Sequence, residues 1–538
     1  MPAIQINAFS GALPAVSPRL LPTENATTAL NTLLEDGDLK PMEGVLVDPV
    51  QPLLPAFVRT LYKYNDRFFA WSARVNAMAS PVIADPYDRV YFSGLDVPRV
   101  TRNDIALGAG VLPSLSFPLG VAAPTAPSAT YATPAEDDDE KDYADDSTRF
   151  YLRTYVTRSG EESGPSPLSA KVVVTVPGTA VNLALPVLAV NANEVELQRI
   201  YRTATGATES GFLLVAELPY TTAAYSDTLL DEDLGPPLST GDYLPPPAGM
   251  KGLCSITGGI ALGFVGRTLY VSEAYEPYTY PTAYQQTTQH RIVGICPLSS
   301  GALVVTEGYP YVLTGTMPGA VSLDKLDDPY PCVSERSLVN MDGFVMYASQ
   351  DGLVGAGSGG AKLLTEEVFT PAQWRALAPH TLHAYYHDGM YIAFYGDTSD
   401  TGNGIGAFIY DPSRKDVTFV NVYAQAGFRD LASDTLYLVI DGQLCQWRKG
   451  PALPYRWVSK VFETPPVSFQ RYRLKGVDLS GTLLTILADG QPLFTRLYTQ
   501  HDPYPGCLPP GQFSRYQLQL EGVSTVTSVS LATEMGEL

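Results

Sequence analysis

Apolar and polar residues alternate in short runs along most of this chain, with turn residues between the runs. "RTLYKYNDRFFAWS" (59–72) and "DRVYFSG" (88–94) are aromatic or β-branched stretches bounded by turn formers, the signature of short strands. "RFYLRTYVTRSGEESGPSPLSAKVVVTV" (149–176) reads as a strand of alternating polarity, a Gly-Glu-Glu-Ser turn and a second strand. "NEVELQRIYRTATG" and "GFLLVAELPYTTAAYSD" supply three more. One stretch departs from this period. In "ATTALNTLLEDGDLK" (26–40), Ala29, Leu33 and Leu34 share one helical face before Asp36-Gly37, which predicts a helix there. Elsewhere the pattern predicts an all-β protein with few helices.

Asp-Gly recurs at 342–343, 351–352, 388–389, 441–442 and 489–490, usually between apolar runs such as "HAYYHDGMYIAFYG". That dipeptide supplies the positive φ angles of a two-residue hairpin turn. From Asp351 onward the pairs are separated by 37, 53 and 48 residues, near the roughly 40–50 residues of a four-stranded propeller blade. A chain of 538 residues also exceeds what one core fills. We therefore expect a β-propeller divided by an insertion. Residues 1–123 form an N-terminal platform segment and the first propeller strands. Residues 124–247 form an inserted β-sandwich that resembles a fibronectin type III module in its "GEES-P-S" turn and "RIYRT" strand. Residues 248–460 carry the remaining blades, entered through the proline run "PPPAGMKG", and 461–538 form a C-terminal β-domain.

Two segments read as loops. Residues 105–127 are uncharged, but Pro113, Pro118, Pro124 and Pro127 each remove a backbone donor, which excludes a membrane-spanning helix. Glu136 to Asp146 carries eight acids, whose repulsion favours a solvated loop.

Composition narrows the function. The 35 basic and 56 acidic side chains give a net charge of −21, which opposes binding of nucleic acid through phosphate neutralisation. Five widely spaced cysteines without a CxxC form neither a disulfide framework nor a zinc site and read as buried free thiols. The amino end lacks a basic leader followed by an apolar core. His380, His383 and His387 would align on a helix, but on the predicted hairpin strand only His383 and His387 share a face, so no metal site is expected. Cys332 near Arg336 has no neighbouring histidine in the sequence, and no G-x-S-x-G, H-E-x-x-H or P-loop is present. The reading is a non-enzyme with no catalytic residues, cofactor or metal.

An ordered series of segments carries a family resemblance: "NAFSGALPAVSPRLLP" (7–22), "LEDGDLKP" (34–41), "FPLGVAAPTAPS" (117–128), "YVTRSGEESGPSP" (155–167), "RIYRT" (199–203), "LYVSEAYEPYTYP" (269–281), "VVTEGYPYVLTGTMP" (304–318) and "CVSERSLVNMDGFVMYASQDGLV" (332–354). Together they resemble the tail nozzle proteins of short-tailed phages, also called tail tubular protein B or tail hub stabilisation protein. The resemblance implies a virion tail protein assembled in the host cytoplasm. It implies a homohexameric ring below the portal-adaptor complex, contact with tail fibre or tail needle proteins, and genomic DNA passing through the lumen without sequence recognition. No membrane insertion is implied. Candidate gate or contact loops are Pro113 and Pro118 and the acidic Glu136, Asp137, Asp138, Asp139, Glu140 and Asp142. The alternatives are a peripheral tail adhesin for a cell-surface glycan or receptor, and a propeller hydrolase with a carboxylate pair in its funnel.

Overall fold

The computed structural model describes residues 3–132, 147–176, 178–204, 211–396 and 404–538. The described residues are almost entirely β, with Pro371–Ala376 as the one α-helix, closed at its start by a Thr370/Gln373 capping box.

Hairpin chemistry organises the middle of the chain. Asp388-Gly389, Asp441-Gly442 and Asp489-Gly490 all have both residues at positive φ, as a two-residue turn matched to the twist of its strands requires. Each joins consecutive antiparallel strands. Strands Val345–Ala348 and Leu353–Gly357 lie on either side of Asp351-Gly352, so "FVMYAS" is a strand between two turns.

Repetition of this unit gives a succession of four-stranded antiparallel sheets. They begin at Asn76–Ala79, Lys251–Ile256, Ile292–Leu298, Val339–Asn340 and His383–His387. A further sheet, Ala426–Asp430 with Thr435–Ile440 and Gln443–Gln446, takes its fourth strand, Leu46–Val47, from near the other end of the sequence. The first strands touch in series: Asn76–Ala79 against Lys251–Ile256, then Ile292–Leu298, Val339–Asn340, His383–His387, Ala426–Asp430 and finally Thr60–Tyr64. The hairpin Thr60–Tyr64/Arg67–Trp71 returns to the first of these sheets, sharing Tyr64, Phe69, Trp71, Val90 and Phe92 as one core. Successive sheets bury apolar side chains between them, as Ile260, Leu262 and Val271 do against Ala302, Val304 and Leu313.

Between the sheet of 76–118 and that of 251–287 the chain forms a separate lobe. Ser128–Tyr131, Val181–Ala184 and Ala224–Asp227 make one sheet, and Tyr151–Thr157, Val195–Thr203 and Phe212–Pro219 another. Tyr151, Val181, Leu183, Ile200 and Val215 belong to their common core. Tyr151–Thr157 is buried on both faces, not one. Its polar residues are tolerated because they are bonded: Arg153 donates to Thr125 O (3.0 Å), Gln198 Oε1 (2.8 Å) and Pro186 O (2.7 Å).

Both ends of the sequence meet in a second sandwich. Ala3–Ile6 pairs with Val526–Ala532, which pairs with Arg471–Gly476. In the facing sheet Ala26–Leu30 pairs with Tyr455–Ser459, followed by Phe513–Gly522 and Leu483–Ala488. Ile4, Ile6, Leu474 and Val529 share its core with Trp457, Leu484 and Leu518.

The helix expected over 26–40 is replaced by strands Ala26–Leu30 and Thr32–Leu33, separated by Asn31 at φ 54°. Thr27 and Thr28 favour extended backbone, and pairing with Tyr455–Ser459 overrides the local helical spacing. Residues 105–127 are irregular apart from Phe117–Pro118, paired to Arg99 and Val100. No described helix is long and apolar enough to cross a membrane.

Candidate functional site

Two polar clusters stand out, one where first strands converge and one where the inserted lobe meets the rest.

The first is built by the residues that lead into first strands. Ser334, Glu335 and Arg336 precede Val339–Asn340, and the Glu335–Ser337 turn is stitched to its neighbours on several sides. Ser334 Oγ donates to Leu382 O (2.6 Å), Ser337 Oγ donates to Ser334 O (2.7 Å) and accepts from Ala348 N (2.9 Å), and Tyr391 Oη donates to Ser337 O (2.8 Å). Glu335 Oε1 accepts from Arg74 Nε (3.1 Å) and Asn76 Nδ2 (2.9 Å), and Asn76 Oδ1 accepts from Gly252 N (3.0 Å). One carboxylate therefore ties together the entries of three sheets that are not consecutive in the series. Arg336 Nη2 donates to Gln425 O at 2.6 Å. Burial, above all, lowers the Arg336 pKa, and among the described residues no ion pair offsets it.

Cys332 lies in this segment but is not a nucleophile. Its thiol is buried and pushed up to about 12 by loss of solvent, and Sγ donates to Ser334 O at 3.3 Å. Cys296 is likewise raised to about 12 by burial. Cys507 departs from the expectation of buried thiols, because the edge strand Gly506–Cys507 leaves it exposed.

The three histidines do not converge on a metal. His383 and His387 share a face of the strand His383–His387, while His380 sits in the preceding turn. His383 is 1% exposed and stacks on Phe394 with 5.3 Å between ring centroids. Burial, and then the nearby Arg336 charge, holds its pKa well below the usual histidine range. Among the described residues no group of three potential ligands is placed to hold a metal.

The second cluster joins the inserted lobe to the sheet of 76–118. Arg89 donates to Asp85 Oδ2 (2.7 Å) and Glu161 Oε1 (3.2 Å), while Arg102 pairs with Asp104 and Glu194. Tyr87 Oη donates to Arg158 O (3.0 Å), and Asn193 Nδ2 donates to Pro118 O (2.8 Å) and Gly120 O (3.1 Å). Glu161 is so enclosed that burial raises its pKa despite Arg89. Its neighbour Glu162 faces the lobe, accepting from Arg199 (2.5 Å), Thr154 (2.5 Å) and Tyr201 (3.0 Å). The Gly-Glu-Glu-Ser turn is thus a bolt. Its spacing marked a turn, but no local signal reveals that both acids are buried, since their partners stand far away in sequence.

The candidate gate loops separate. Pro118 pairs with Arg99 beside this joint, and Pro113 lines an apolar recess of about 380 Å³ with Trp71, Phe92, Leu95, Val111 and Leu112. Glu136, Asp137, Asp138, Asp139, Glu140 and Asp142 lie outside the described residues.

No protein-family model matches the chain. None of the curated proteins matches it either. Among solved structures it is similar to the extracellular domain of a one-component system from B. thetaiotaomicron, at 12% identity and TM-score 0.26 over 68% of this chain and 48% of that one. It is similar to the tricorn protease at 9% identity and TM-score 0.24, over 76% of this chain and 37% of that one. An exo-β-1,3-galactanase from Phanerochaete chrysosporium is similar at 8% identity and TM-score 0.15, over 70% of this chain and 98% of that one. The chain spans about half the length of the first of these and a little over a third of the second. At these TM-scores no activity is carried over.

Proposed function

We propose that the chain is a non-enzymatic virion subunit, six copies of which form a tail nozzle that prolongs the portal-adaptor channel, retains the packaged genome and conducts DNA during ejection. The observation that carries this reading is the ordered series of segments from 7 to 354 that resembles tail nozzle proteins. In finer terms the fold is read as a β-propeller with a fibronectin type III-like insertion and a C-terminal β-domain. Consecutive four-stranded sheets whose first strands touch in series, one of them completed by Leu46–Val47, support that reading.

The chemistry of the clusters is in keeping with a scaffold. Glu335 is braced by Arg74 and Asn76, and Glu161 by Arg89. A glycosidase would need two carboxylates facing a cleft, one of them free to protonate a leaving group. A net charge of −21 suits a conduit along which DNA slides, because phosphates are repelled and not held. A ring contact buries side surfaces of each copy in a closed symmetric interface.

The test is cryo-electron microscopy of the purified chain, alone and mixed with its portal-adaptor complex. A six-fold ring with an axial channel is the expected result. A chain that remains monomeric and does not dock on the adaptor overturns the proposal, and glycan binding by that monomer would favour a tail adhesin.

A further inference from the structure

Beside the Glu335 brace lies a cavity of about 300 Å³ lined by Phe57, Arg59, Ser334, Arg336, His380, Thr381, Gly396, Tyr423 and Gln425. That volume is at the lower end of small-molecule sites, roughly 300–1,000 Å³. Its lining comes from the entries of three first strands and the end of a second strand, so rigid sheets hold it.

The lining has one electrostatic sign. It carries two arginines and a histidine, and no acid among the described residues, in a chain where acids outnumber bases 56 to 35. The hydroxyl groups have their protons engaged: Ser334 Oγ donates to Leu382 O (2.6 Å), Thr381 Oγ1 to Ala378 O (2.7 Å) and Tyr423 Oη to Gly396 O (3.1 Å). Gln425 is fixed by Val58 N on its Oε1 (3.3 Å) and by Arg336 on its backbone oxygen (2.6 Å), which leaves its amide nitrogen as a donor. The Arg59 guanidinium lies 5.2 Å from the Phe57 ring centroid, and no carboxylate among the described residues pairs with it. Arg336 uses one N–H on Gln425 and has further donors in a fixed fork. Two unpaired guanidinium groups beside an amide donor make a constellation that matches phosphate, whose oxygens accept bidentate, charge-assisted bonds.

We infer that this cavity binds a phosphate group, as the free ion or as the phosphomonoester of a small molecule, with Arg59, Arg336 and Gln425 as its donors. An anion there would complete the charge balance that burial denies to Arg336. The inference does not depend on the nozzle reading, since the cavity lies within one chain.

Isothermal titration of the full chain at pH 7.5 tests it, with sodium phosphate and phenyl phosphate as probes and sodium chloride of matched ionic strength as reference. Saturable one-site binding is expected, weakened at least tenfold in Arg59→Gln and in Arg336→Gln and unchanged in Arg19→Gln, a site remote from the cavity. Tighter binding of phenyl phosphate would assign the site to a phosphomonoester, and equal binding to the free ion. Arg59 is exposed, so its variant keeps the test valid if Arg336→Gln misfolds. Absence of saturable heat, or equal affinity in wild type and Arg59→Gln, overturns the inference. So does phosphate binding that emerges only when Asp397 and Asp400, outside the described residues, are both replaced by Asn, because the chain's own acids would then be the occupant.

Discussion

Replacing His383 with Phe is expected to make the protein less sensitive to mild acid. The imidazole is 1% exposed, lies between the rings of Phe394, Tyr385 and Tyr423, and faces the cations Arg336 and Arg74. Burial and then Arg336 hold its folded pKa well below the ordinary 6.5. A histidine with a depressed folded pKa takes up protons more readily once unfolded. Its contribution to stability is therefore present above pH 6.5 and lost as pH falls below that value. With the folded state neutral throughout, moving from pH 7.5 to 5.5 favours the unfolded state by about 1.4 kcal/mol, a factor of ten in the equilibrium constant. Phe cannot take up that proton and suits the aromatic surroundings. Urea unfolding of wild type and His383→Phe at both pH values measures the difference. The wild type is expected to lose about 1.4 kcal/mol more than the variant on acidification. Equal losses would mean that His383 is charged in the folded state or titrates normally there, and the burial argument would be wrong.

The joint to the inserted lobe gives a second expectation with the opposite sign. Burial raises the Glu161 pKa above 4.5, so its favourable contribution exists below that value and is lost as pH rises through the folded one. Glu161→Gln should flatten stability across that window in a pH series of melting temperatures. Arg89→Met should cost about 3–5 kcal/mol by leaving buried Asp85 and Glu161 without their cation, seen as earlier protease cleavage around the lobe. Thiol titration of the native chain should label Cys507 first, with Cys332 and Cys296 reacting only after unfolding. Gly442→Ala places a Cβ at φ 75° and should cost roughly 1–2 kcal/mol in urea unfolding, without change in spectroscopic strand content.

The hairpins were legible because their cause is local: Asp388-Gly389 dictates its turn whatever surrounds it. The period of two likewise placed His383 and His387 together and His380 apart. Residues 26–40 misled because helical spacing is also local, whereas the pairing that decides their state is with Tyr455–Ser459, more than 400 positions onward. The candidate sites were less visible for the same reason. Cys332 to Ser337 drew notice through its chemistry, yet Glu335 acquires its role from Arg74 and Asn76, and Arg336 from Gln425. Charge identity is written in sequence, but charge partnership is set by sheet topology.

The pairing of Ala3–Ile6 with Val526–Ala532 sets a clock for biosynthesis. A ribosome has nearly 530 residues to add between making these two strands, and until the second appears the first has no partner in its own sheet. The sandwich is consequently a late event, while the hairpin-linked sheets between can form as they emerge. A chain released early would display unpaired strand edges at Ala3–Ile6 and Arg471–Gly476, surfaces that chaperones and proteases recognise. The closing sandwich thereby distinguishes finished chains from truncated ones before any of them reaches a partner.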